Sequence, residues 1–191
     1  VPMTSMPETV ALFNGCGGMS SLLVAIGVIF FQRSETFIQD ISISISIFVG
    51  AITFSGSIIA MAKLQGWLST PSWTQSKIRH LINISIAIIS LIAFIDLIQN
   101  SNNSSVWLLI ISSTILGIGV TLPIGGADMP VVISLLNSYS GIAAAAAGFV
   151  VRSQMLIVAG AMVGAAGLIL TQVMCKGMNR SLISVLFGGT L

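Results

Sequence analysis

The chain has 191 residues, of which 55% are hydrophobic and only 6% charged, with a mean hydropathy of +1.05 and a net charge of +2. Soluble domains carry roughly 25% charged residues, so this composition excludes a soluble globular protein. The small charge and the lack of any basic run exclude nucleic acid as a partner.

A bilayer-spanning helix takes about 20 mainly apolar residues, and such segments recur along the chain. Six spans are predicted, at residues 9–31, 41–62, 81–98, 106–124, 129–151 and 155–176. The expected fold is therefore an all-α, polytopic transmembrane bundle, with a polar lead-in at 1–8 and the start of a linker at 177–191. The first residues lack the basic start and apolar core of a secretory signal. The absence of an initiator Met and the polar opening suggest a piece of a longer protein.

The first span opens on Pro7-Glu8, which suit a helix start for backbone and dipole reasons. It carries Asn14, the only strongly polar side chain near its middle, then Gly15-Cys16-Gly17-Gly18 and Ser20-Ser21. Glycines between membrane helices let two backbones approach closely. Cys16 and Cys175 lie in apolar surroundings and read as small hydrophobes. The second span begins with alternating Ile and Ser, a strand-like period; a lone strand in lipid leaves its backbone unpaired, so helix is expected. Its Gly50 and Ser55-Gly56-Ser57 mark a close-packed side.

The connector after it holds Lys63, Lys77, Arg79 and His80, with Trp67 and Trp73 as interfacial aromatics. Asp96 and His80 lie near helix ends, where side chains reach water. Pro123 ends the fourth span, where a helix can lose a hydrogen bond. Gly125-Gly126-Ala127-Asp128-Met129-Pro130 then opens the fifth. Asp128 reads either as a helix cap or as a functional carboxylate at membrane depth, where acidic groups are paired, hydrated or protonated.

Within the fifth span Asn137 and Ser140 share a face, with Ser138 beside them and Gly141 opening space. This cluster reads either as interhelical hydrogen-bond glue or as the lining of a short water chain for protons. Asn14 is expected to face Asn137 across the bundle. Gly160 and Gly164, continued by Gly167, give small-residue spacing for tight helix pairing.

Threading six spans puts Lys63, Lys77, Arg79, Lys176 and Arg180 on one side, and Arg33 and Arg152 on the other. By the positive-inside rule the first side, with both chain ends and Asp128, faces the cytoplasm or mitochondrial matrix. The tail ends in Gly188-Gly189, like a linker cut short. No GxGxxG, no GxxxxGK[ST] and no Cys/His cluster with metal spacing occurs.

The blocks from Gly125 to Val132 and from Leu136 to Gly141 resemble the proton-translocating nicotinamide nucleotide transhydrogenase family, in the membrane part of its beta subunit. Met6-Pro7-Glu8, Val10 to Gly15, Gly50 to Ser57, Ala62-Lys63-Leu64 and Met178-Asn179-Arg180-Ser181 extend the resemblance almost end to end. It implies an enzyme that moves hydride between NAD(H) and NADP(H) while protons cross a bacterial or mitochondrial inner membrane. The present residues would conduct protons and bind neither cofactor nor metal themselves. The implied partners are the alpha-subunit membrane helices and NAD-binding domain, an NADP-binding domain after residue 191, the lipid bilayer, and a second copy of the whole complex in a homodimer.

Carried onto this chain, the resemblance matches Asn137 to a polar position of the proton path, Asp128 to the acidic position at its inner mouth and Arg180 to the basic position at the junction with the NADP domain. With Asn14, and with Ser138 and Ser140 from the reading of the residues themselves, Asn137 and Asp128 make up the expected proton path, and Asp128 and Arg180 the expected coupling to the NADP domain. Asn14 stands where some members carry histidine, and an amide does not titrate near neutral pH. The reading from another class is a secondary transporter for a small solute, since broken helices with midplane sites mark such folds; a structural membrane subunit is the third.

Overall fold

The computed structural model describes residues 5–31, 36–70, 78–100 and 102–186. Arg33, Trp73, Lys77, Gly188 and Gly189, named above, lie outside the described residues. The described residues form six long helices: α1 (Met6–Phe31), α2 (Phe37–Leu64), α3 (Ile78–Asn100), α4 (Asn103–Thr121), α5 (Met129–Val150) and α6 (Gln154–Gly177). All six are long and apolar enough to cross a membrane, and no strand occurs among the described residues. The chain is thus an all-α multi-pass bundle.

The Ile-Ser alternation is helical, and the hydroxyls show why lipid tolerates it. Ser42 and Ser44 donate to the carbonyls four residues back, Ile38 O at 2.8 Å and Asp40 O at 2.9 Å, while Ser46 reaches across to Ser21 O at 2.9 Å. Back-bonding of this kind hides a hydroxyl inside its own helix. α2 begins at Phe37, four residues before the predicted start, because the Thr36 side chain accepts the Gln39 N–H and caps the first turn.

Helices α2 and α5 are the most buried, and α3 and α6 lie at the periphery. The pairs α1 with α2 and α5 with α6 pack most closely. Glycines make both contacts possible. A Cβ on Gly18 would lie 2.7 Å from Gly50 O, and one on Gly160 would lie 2.4 Å from Ala145 N.

Two apolar clusters form the core, one at each end. Leu22, Ala25, Ile43, Ile47, Leu97, Val106 and Val150 belong to the cluster away from the chain termini. Ala11, Ala60, Ile124, Met129, Val132, Leu136 and Val185 belong to the cluster near them. The second includes an element absent from the predicted spans, the short helix α7 (Leu182–Leu186), whose Val185 is fully buried. The tail after α6 therefore folds back onto the bundle over its first residues.

Candidate functional site

The break between α4 and α5 builds the first part of the site. Gly126–Asp128 form one turn of 3-10 helix, with Asp128 N–H donating to Gly125 O at 3.1 Å, and α5 follows with Pro130 in its first turn. The Asp128 side chain caps nothing. Its carboxylate instead takes Arg180 Nη1 on both oxygens, at 2.7 Å to Oδ1 and 2.6 Å to Oδ2.

The end of α6 aims that arginine. Asn179 sits at φ 52°, and the chain closes on itself through Asn179 N–H to Lys176 O and Arg180 N–H to Cys175 O, both 3.0 Å. This is the Schellman arrangement, in which a left-handed residue ends the helix, a role for which Asn ranks next to Gly. It turns Arg180 back toward the start of α5. The Asp128 side chain is 11% exposed and the Arg180 side chain 38%, so the pair is half buried and open to water on the arginine side.

Higher in the bundle, next to the apolar cluster near the chain termini, polar side chains of α1, α2 and α5 lie at the contacts between those helices. Asn14 is buried, and its Nδ2 donates to Ile133 O at 3.1 Å. In an α-helix that carbonyl also receives the N–H of Asn137, so Asn14 grips α5 one turn before the residue it was expected to face. The Asn137 carboxamide is partly exposed and makes no side-chain hydrogen bond with any described residue. Ser140, on the same face, packs on α1: a Cβ on Gly17 would lie 2.4 Å from Ser140 Oγ.

Ser57 adds a hydroxyl from α2. It is fully buried, its hydroxyl has no partner among the described residues, and it lies against Gly15. A buried unpaired hydroxyl costs about 1–3 kcal/mol, and such groups mark a place for water or for function. Sequence reasoning read Ser55-Gly56-Ser57 only as packing. The period placing Thr53 and Ser57 on one helical face was the available signal.

Ser138 points the other way. Fully buried, it donates to Gly164 O at 2.7 Å, and Ser134 donates to Gly167 O at 3.2 Å. A Cβ on Gly141 would lie 2.4 Å from Gly164 N, and one on Gly167 2.8 Å from Ser138 N. Gly141, Gly160, Gly164 and Gly167 thus form the α5–α6 contact, with serines bonded across it. Asp96 accepts from Asn100 at 2.6 Å and from Ser105, tying the α3–α4 turn together.

A bundle of six apolar helices with buried polar side chains at its helix contacts, and an ion pair joining its helix break to its C-terminal segment, defines a multi-pass membrane protein. The family model for the NAD(P) transhydrogenase beta subunit matches residues 1–191. Two curated relatives from Rhodospirillum rubrum, one of them from a defined strain, are each called NAD(P) transhydrogenase subunit beta. Each is 41% identical over 197 residues, covering 99% of this chain and 42% of the relative. The chain belongs to the NAD(P) transhydrogenase beta subunit family. It spans about two-fifths of the length of those relatives.

Proposed function

We propose that this chain is the proton-conducting membrane part of an NAD(P) transhydrogenase, coupling proton movement across an inner membrane to hydride transfer between NAD(H) and NADP(H). The observation that carries the reading is the set of polar side chains Asn14, Ser57, Asn137 and Ser140 at the contacts of α1, α2 and α5, with the Ser57 hydroxyl buried and unpartnered among the described residues. Polar side chains inside a membrane bundle are costly and mark ion and proton pathways.

Asparagine amides and serine hydroxyls do not exchange their own charge near neutral pH. They orient water, which passes the proton along. Asp128, in the turn that opens α5 and about 13 Å from Asn137 at 1.5 Å per residue, is the carboxylate adjoining that helix. A proton arriving there removes one side of the ion pair and releases Arg180, and with it the segment that leads to the NADP-binding domain. Linkage makes the effect reciprocal: nucleotide occupancy that pulls on Arg180 changes the proton affinity of the membrane part by the same free energy.

Nucleotides bind outside residues 1–191 in this reading. NAD(H) binds on the alpha partner, whose membrane helices cover the open flank at Asn137, and NADP(H) binds on the domain after α7. The complete enzyme works as a dimer of such complexes. The positive-inside distribution of Lys63, Arg79, Lys176 and Arg180 against Arg152 supports a C-terminus on the inner side. The family match disfavours the solute-transporter reading.

The test uses the complete enzyme in liposomes. Asp128→Asn and Asn137→Ala are expected to reduce proton-coupled transhydrogenation while the helices remain inserted. Wild-type coupled rates in both variants refute the proposal.

A further inference from the structure

The geometry points to Lys63 as a positioning residue for the coupling step, a role that rests on the function proposed above. Lys63 is the penultimate residue of α2 and only 8% exposed. A lysine serving only the positive-inside rule extends its ammonium to water. This one turns inward. Its Nζ donates to Thr70 Oγ1 at 3.0 Å, to Ile124 O at 2.8 Å and to Leu122 O. All three ammonium hydrogens are thereby engaged, and among the described residues no carboxylate pairs with it.

The two carbonyls flank Pro123, where α4 ends. Proline has no N–H, so Gly119 O loses the partner that helix continuation provides, and Asn83 Nδ2 from α3 takes its place at 3.0 Å. Two side chains therefore hold the break. Asn83 holds its α4 side, and Lys63 holds the segment leading to Asp128. Between Ile124 and Asp128 stand Gly125 and Gly126, beside which a Cβ would meet nothing within 4 Å. The Lys63 contacts act with the turn bonds Ile124 N–H to Thr121 O at 3.2 Å, Asp128 N–H to Gly125 O at 3.1 Å and Met129 N–H to Gly126 O to fix the approach of that carboxylate to Arg180.

The clamp is also linked through α2 to the buried hydroxyl of Ser57, unpartnered among the described residues. Ser57 lies six residues before Lys63 on α2, about 9 Å away along the helix. A shift of α2 that accommodates water beside Ser57 is carried by Lys63 onto Leu122 and Ile124, and from there to Asp128. Lys63 touches no transferred proton in this scheme. It keeps the polar side chains around Ser57 and the ion pair in register, so that hydrating one changes the other.

The experiment measures protons moved per hydride transferred by the complete enzyme in liposomes, together with its thermal unfolding midpoint. Lys63→Met is expected to lower the proton-to-hydride ratio about tenfold, within the range of allosteric couplings. Lys63→Arg, which keeps the charge and donors, is expected to restore at least half of it. Asn83→Ala, removing the other clip, is expected to lower the unfolding midpoint and leave the ratio unchanged.

An unchanged ratio in Lys63→Met overturns the inference, as does an equal fall in Asn83→Ala. If Lys63→Met does not assemble, Thr70→Val, which removes one acceptor on the loop, is expected to lower the ratio severalfold, and no change there likewise overturns it. A wild-type enzyme that moves no protons defeats the proposed function itself, an outcome distinct from both.

Discussion

The Asp128–Arg180 pair lends itself to a quantitative test, because its two ends sit in different environments. Exposed ion pairs contribute about 0–1 kcal/mol, whereas removing one partner of a buried pair costs about 3–5 kcal/mol. The Asp128 side chain is 11% exposed. Arg180→Gln strands its carboxylate, at an intermediate cost of about 2 kcal/mol. Arg180 is 38% exposed, so Asp128→Asn leaves a guanidinium able to turn toward water, at about 1 kcal/mol. The double variant leaves no charge behind and is expected to cost about 1 kcal/mol, a coupling of about 2 kcal/mol in the double-mutant cycle. That is about 30-fold in the equilibrium holding the C-terminal segment against α5. Detergent-titrated unfolding of the four proteins measures it. A coupling below about 0.3 kcal/mol, the limit of simple additivity, refutes the claim that this pair fastens the segment to the bundle.

Other expectations follow from single contacts. Gly160→Val puts a side chain where Ala145 N would lie 2.4 Å from the new Cβ; α5 and α6 must separate, and the unfolding transition is expected to fall by more than about 2 kcal/mol. Ser138→Ala, which loses the bond to Gly164 O, is expected to cost about 1 kcal/mol of stability while proton-coupled turnover stays near wild type, in contrast to Asn137→Ala. Asn14→His introduces a titratable group at mid-depth. Imidazole has an ordinary pKa of about 6.5, so a pH series of the proton-coupled rate is expected to show a step that wild type lacks.

The hydrophobic runs made the six spans legible in the sequence, since lipid leaves the backbone no alternative to helix. The Ile-Ser alternation, ambiguous as a pattern, yields to the same constraint. Asn137 and Ser140 on one face, and the glycines at 160, 164 and 167, were legible because helical spacing fixes faces. The partner of each face was not. Ser138 stood in the same polar run as Asn137 yet points to α6, because neighbouring residues on a helix diverge by about 100°.

Asp128 and Arg180 were assigned to one end without being paired, because their contact spans 52 residues and depends on the left-handed turn at Asn179. Lys63 looked like one more positive charge at the membrane edge; only the tertiary fold turns it onto the carbonyls around Pro123. Ser57 was hidden for the same reason, since an unpaired hydroxyl is a property of its surroundings. The helix α7 is too short for a periodic signal, and its burial comes from docking rather than from its own sequence.

The central claim is that water enters among Asn14, Ser57, Asn137 and Ser140 during turnover and is excluded otherwise. Hydrogen–deuterium exchange of the backbone amides in residues 12–18 and 133–141, measured on the complete enzyme in lipid nanodiscs with and without bound NADP(H), addresses it directly. Slow exchange in the nucleotide-free enzyme and markedly faster exchange in both segments during turnover is the expected result. Uniform protection of both segments in every state, while protons continue to be pumped, contradicts the account.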